Sequence, residues 1–139
     1  MSETTDHMDR FAGRIAIVTG GALGIGGGTA RKLAAQGASV LVADVNDEAA
    51  AANVAGITER GGTAKAIHTD VGSHDAIKEM IDTAVSEWGR LDILVQNAYD
   101  GGRRSNGSAV EVAEEDWDHS MALLTKALFL GAKYAVPEM

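Results

Sequence analysis

A strand, a glycine turn and a helix follow one another between Ile15 and Gly37, and no other feature restricts the possible folds as much. Ile15-Ala16-Ile17-Val18 is apolar with β-branched members, as a short buried strand requires. Thr19-Gly20-Gly21-Ala22-Leu23-Gly24-Ile25-Gly26 breaks that run, and Ala30, Leu33, Ala34 and Gly37 then recur at helical spacing. Such a junction gathers backbone N–H groups and a helix N-terminus at one point, where the open amides and the helix dipole favour a phosphate. Each glycine takes a separate task. Gly20 ends the strand in a tight turn, Gly24 lets a pyrophosphate approach the backbone, and Gly26 lets the helix lie close to the strand. Glycines also punctuate ordinary loops, so the turn alone does not settle phosphate binding.

The second strand narrows the choice. Ser39-Val40-Leu41-Val42-Ala43 is apolar and ends at Asp44-Val45. A carboxylate about 20 residues past the glycine turn, at the end of the next strand, accepts hydrogen bonds from an adenosine ribose. It also repels a 2′-phosphate, and no Arg or Lys stands in the turn or directly after Asp44 to offset that. A bland alternative is a solvated strand end, or a residue that helps cap the next helix.

The turn Thr19-Gly20-Gly21-Ala22-Leu23-Gly24-Ile25-Gly26 resembles the TGxxxGxG cofactor turn of the short-chain dehydrogenase/reductases. Asp70-Val71 resembles the family's Asp-Val after the third strand, near the adenine. Asp92-Ile93-Leu94-Val95-Gln96-Asn97-Ala98 resembles its fourth strand and NNAG turn, with Tyr99 where the final glycine usually stands. The resemblance implies a nicotinamide cofactor, here NAD rather than NADP. It implies binding residues Gly20, Leu23, Gly24, Ile25, Gly26, Asp44, Val45, Asp70, Val71, Asn97 and Ala98.

The rest of the chain keeps the alternation. Helix one stops at Gln36-Gly37, and Asn46 or Asp47 caps an alanine-rich second helix that ends at Arg60-Gly61-Gly62. Ala64 to His68 read as the third strand, and Ser73 caps a third helix with Ile77, Met80, Ile81, Ala84, Val85 and Trp88 on one face. Leu91 to Val95 read as the fourth strand. The predicted fold class is α/β, an incomplete doubly wound parallel sheet of Rossmann-like type, with strand order 3-2-1-4 and flanking helices. Ligands bind where that order reverses, between strands one and four. Residues 1–10 read as a flexible tail and 11–139 as one NAD-binding domain.

Composition excludes several classes. A net charge of −8 without a basic stripe argues against a nucleic-acid or anionic membrane surface. Zero cysteines remove disulfides and thiolate metal sites. The polar first ten residues lack the apolar core of a signal peptide, and no apolar run approaches a membrane span. A cytoplasmic protein is expected. His7, His68, His74 and His119 form no cluster at metal spacing and receive no role. Arg103 and Arg104 are read as a solvated loop pair rather than an anion site.

The last helix, 114–136, opens with Glu114, Glu115 and Asp116 against its dipole. Trp117, Met121, Leu124, Leu128 and Ala132 form one apolar face, and Leu123, Ala127, Leu130 and Tyr134 another. Two apolar faces call for two partners, the sheet and a second surface; the resemblance implies a homo-oligomer through this helix. The family's chemistry uses Tyr and Lys at YxxxK, an upstream Ser, and an Asn on this helix. Neither Tyr99 nor Tyr134 has Lys four residues later, and the Asn position, counted from Trp117-Asp118, is Leu124. Ser, Tyr and Lys are expected past Met139, so the 139 residues are read as the cofactor-binding half of an NAD-dependent oxidoreductase, without a complete catalytic set. The alternative is a non-catalytic dinucleotide-binding or assembly module. A methyltransferase-like domain also places an acid after its second strand, but the TGxxxGIG spacing and the Gln96-Asn97-Ala98 turn argue against it.

Overall fold

The computed structural model describes residues 9–100 and 107–139. Arg103, Arg104, His7 and most of the tail lie outside the described residues. Four parallel strands form one sheet: β1 (Ile15–Thr19), β2 (Ser39–Asp44), β3 (Thr63–His68) and β4 (Ile93–Gln96). Their order is β3-β2-β1-β4, as the alternation of strands and helices predicts. The connections carry α1 (Gly24–Ala35), α2 (Asp47–Glu59) and α3 (His74–Trp88).

Alternation along β1 and β2 divides the core into two layers. Ala16, Val18, Val40 and Val42 pack with Ala30, Leu33, Ala50 and Ile57 of α1 and α2. Ile15, Ile17 and Leu41 pack on the other face with Ile77, Met80 and Ile81 of α3. Strands buried on both faces are continuously apolar for this reason. Ile17 is wholly buried, and truncating such a residue to alanine costs about 2–5 kcal/mol.

Register brings the strand ends level. Thr19 pairs with Ala43 on one side and Gln96 on the other, so the glycine turn, Asp44 and Asn97 emerge at one end of the sheet. The strands differ from expectation at their limits. β4 begins at Ile93 rather than Leu91, because the Asp92 carboxylate takes the Ile15 N–H (2.9 Å) and Leu91 packs beneath α3.

The last helix is less regular than its sequence pattern suggests. α4 (Glu114–Met121) passes into a π-helical stretch, Ala122–Lys126, before α5 (Ala127–Ala135) and a final 3₁₀ turn, Val136–Glu138. Leu123, Ala127 and Leu130 are buried, and α5 shares the core layer of α3. Gln96 of β4 donates from Nε2 to the Leu128 carbonyl (3.2 Å), in a notch that a side chain at Gly131 would fill. Trp117, Met121, Leu124, Leu128 and Phe129 remain exposed. No helix among the described residues is long and apolar enough to cross a membrane.

Candidate functional site

The three sheet-crossing helices begin in different ways. Asn46 caps α2 by accepting from Ala49 N–H (3.0 Å), and Ser73 caps α3 by accepting from Ala76 N–H (3.3 Å). At α1 the N-cap is Leu23, and no side chain caps the helix. Its first-turn amides therefore face outward without a local acceptor, the arrangement that suits an anion. Gly24 has φ +57°, and nothing lies within 4 Å of the place a Cβ would take, so the space above the turn is open.

Behind the turn there is no such space. A Cβ on Gly26 would run into the Gly20 carbonyl and the Asn97 amide, well inside contact distance. Only hydrogen fits there, which lets α1 leave the sheet at this point. Asn97 donates from Nδ2 to the Thr19 and Gly20 carbonyls at 3.2 and 3.3 Å. Thr19 Oγ1 in turn accepts from the Asn97 and Ala98 N–H groups, each at 3.1 Å. β1 and β4 are thus laced together beyond the last ladder bond.

Asp44 closes the next side. Its Oδ2 accepts from Ala22 N–H and its Oδ1 from Asn46 N–H, both at 3.0 Å. The carboxylate thus fixes the start of the α2 connection and remains half-exposed at the turn. Asp70, at the end of β3, accepts from Gly72 N–H at 2.8 Å.

These elements surround a cleft of about 690 Å³. Gly20, Leu23, Gly24 and Ile25 form one wall, Asp44 and Val45 the second, Asp70 and Val71 the third, and Asn97 and Ala98 the fourth. Of the residues the sequence nominates, Gly26 alone stands behind the wall, where its task is packing. The described wall carries Asp44, Asp70 and Asp100 but no lysine or arginine.

Sequence reasoning missed several residues. Thr69, Tyr99, Asp100, His119 and Leu123 also line the cleft. His119, which received no role from the sequence, lies with Nε2 3.1 Å from Asp100 Oδ2 at its rim. The π-helical stretch carries Leu123 to this rim, and π turns recur near functional sites. Asn53 on α2 reaches the Gly21 carbonyl at 2.7 Å, although in the sequence it is only one position of the alanine-rich second helix. Thr69 was visible beside Asp70 as a strand-end polar residue, whereas nothing in the sequence marks Asn53. No His, Asp and Glu group capable of holding a metal ion occurs among the described residues.

A parallel sheet in the order 3-2-1-4, with an uncapped glycine turn at its switch point, defines a Rossmann-like nucleotide-binding α/β protein. Residues 14–139 match the model of the short chain dehydrogenase family, and the chain belongs to that family, whose members bind a nicotinamide dinucleotide. The chain is 40% identical over 140 residues to tropinone reductase-like 2 of Erythroxylum coca, covering 100% of this chain and 50% of that protein. It is 37% identical over 131 residues to a 2,5-dichloro-2,5-cyclohexadiene-1,4-diol dehydrogenase of Sphingobium indicum, covering 94% and 51%. A short chain dehydrogenase from Burkholderia cenocepacia, solved in complex with NADP, superposes with a TM-score of 0.87 at 35% identity, covering 94% and 53%. The chain spans about half the length of the curated relatives it matches.

Proposed function

We propose that these residues form the cofactor-binding half of an NAD-dependent oxidoreductase that interconverts an alcohol and a ketone. The observation that carries the cofactor choice is Asp44, held by two backbone amides at the cleft wall, with no lysine or arginine among the described residues that line the cleft. In this reading Asp44 accepts hydrogen bonds from the adenosine ribose hydroxyls. Two unit charges about 4 Å apart repel by about 1 kcal/mol in water and about 4 kcal/mol at an effective dielectric near 20. A 2′-phosphate facing Asp44 is disfavoured on that scale, although the Burkholderia relative holds NADP. The first-turn amides of α1 and the open space over Gly24 receive the pyrophosphate, while Val45, Asp70 and Val71 border the adenine. Asn97 and Ala98 border the nicotinamide side.

The bound dinucleotide supplies hydride chemistry; the residues here bind and orient it. Within residues 1–139 no tyrosine is followed by lysine four residues later, and Leu124 occupies the helix position that the family resemblance gives to Asn. The isolated 1–139 polypeptide is therefore expected to bind cofactor without turnover, since positioned acid–base catalysis contributes about 10²–10⁴-fold. The exposed stripe Trp117, Met121, Leu124 and Leu128 favours self-association through the last helix. Calorimetric titration with NADH and NADPH tests the reading: tighter NADH binding is expected, and equal affinities would overturn the NAD assignment.

A further inference from the structure

Asn53 lies outside the cleft, on the inner side of α2, and is 8% exposed. Its Nδ2 donates to the Gly21 carbonyl at 2.7 Å and to the Gly27 carbonyl at 3.4 Å. Its Oδ1 accepts from Arg31 Nη1 at 2.9 Å. The Gly21 carbonyl and the Ala22 N–H belong to one peptide unit, which is planar because its C–N bond has partial double-bond character. That N–H donates to Asp44 Oδ2 at 3.0 Å. One rigid plane is thus held at both ends, by an amide at its oxygen and by a carboxylate at its nitrogen.

We infer that Asn53 is a positioning residue for Asp44, and through it a determinant of the choice between a ribose 2′-hydroxyl and a 2′-phosphate. Asp44 is the ribose partner in this scheme, so Asn53 acts on the choice only if that role holds. The chemistry requires an amide. Two carbonyls on one side demand a donor, and the donor-only guanidinium of Arg31 on the other demands an acceptor. Arg31 thereby fixes which way the amide points. A flipped amide would set oxygen against the Gly21 carbonyl and NH₂ against the guanidinium. Leucine at this position leaves the Gly21 carbonyl unpaired in a buried setting and frees the plane to turn. Asp44 Oδ2 then loses the N–H that orients it.

The test measures NADH and NADPH affinities in the full chain for the unmutated protein, Asn53→Leu, Arg31→Met and Ile57→Val. Ile57 is buried on the same helix, is not among the residues lining the cleft and has no side-chain polar atom to hold the clamp, so its variant loses stability without losing the clamp's hydrogen bonds. Losing the clamp should contract the NADH preference at least about fivefold in Asn53→Leu and about twofold in Arg31→Met. The ratio should stay unchanged in Ile57→Val even as its Tm falls. An unchanged ratio in folded Asn53→Leu overturns the positioning role while leaving the Asp44 reading intact. Should Asn53→Leu fail to fold, Arg31→Met, altered at an exposed side chain, decides, and an unchanged ratio there overturns the role. An unmutated protein without NADH preference removes the Asp44 reading itself, and the positioning role with it.

Discussion

Between Thr19 and Gly26 the backbone is fixed by side chains from three other elements: Asn97 beyond β4, Asp44 of β2 and Asn53 of α2. Between Glu114 and Glu138 it is held mainly along one apolar face, where Leu123, Ala127, Leu130 and Ala135 are buried, and the opposite side carries exposed Trp117, Leu124 and Leu128. Hydrogen bonds are directional and fail within a few tenths of an ångström, so they suit a turn that must present amides at set positions. Apolar contact is non-directional and tolerates sliding, so it suits a helix that has more surface to cover. The turn and the helix therefore respond differently to substitution.

The largest effect is expected at Gly26. Gly26→Val puts side-chain atoms into the Gly20 carbonyl and Asn97 amide, and a clash with backbone is not relieved by a rotamer change. Overpacking of this kind costs about 1–3 kcal/mol or more. Cofactor binding should be lost and the Tm should drop by several degrees in a thermal melt; a variant that binds NADH normally would show the turn to be softer than its hydrogen bonds imply. Gly24→Val should act on binding with less effect on the fold. The left-handed φ of +57° costs a non-glycine residue about 1–2 kcal/mol, and the side chain enters the open space over the turn. NADH affinity should fall at least about tenfold, which corresponds to about 1.4 kcal/mol, while far-UV circular dichroism changes little.

On the helix, Leu124→Glu with Leu128→Glu should weaken association without unfolding the chain, because both side chains are about half exposed. Leu130 is unsuitable for that test, since it is buried against the sheet layer. Light scattering at tens of micromolar should report a smaller species for the double variant; an unchanged mass would move the interface elsewhere. Asp44→Ala should contract the NADH-over-NADPH preference by about tenfold in the same titrations used for the unmutated chain.

The smallest effect on cofactor binding is expected at the opposite end of the sheet. Arg90 beside Asp92, aided by Ile15 N–H and Arg14, lowers the Asp92 carboxyl from 3.8 to about 2. A folded pKa below the unfolded one means that this stabilisation is complete above pH 3.8 and is lost as the pH falls towards 2. It amounts to at most about 2 kcal/mol, less the screening of the half-exposed arginines. Asp92→Asn should lower the Tm at pH 7 by a few degrees and leave cofactor affinity unchanged. The gap between the two proteins should shrink as the pH approaches 2, and a constant gap would refute the pairing.

The sequence by itself determined the order of elements, the parallel sheet and most of the cleft wall. Strands buried on both faces must be apolar, glycine is required where backbone meets backbone, and caps such as Asn46 and Ser73 act over three residues. These are local constraints, and they leave local marks. Only the tertiary structure decided that Asn53 meets Gly21, that Thr19 receives two amides from beyond β4, and that His119 lies beside Asp100. The first two contacts join residues brought together by crossovers, and a polar side chain on a helix looks the same in sequence whether it faces water or a carbonyl. The π-helical stretch at Ala122–Lys126 was hidden for a related reason. Its residues are ordinary helix formers, and one extra residue per turn depends on what the flanking turns pack against rather than on local propensity.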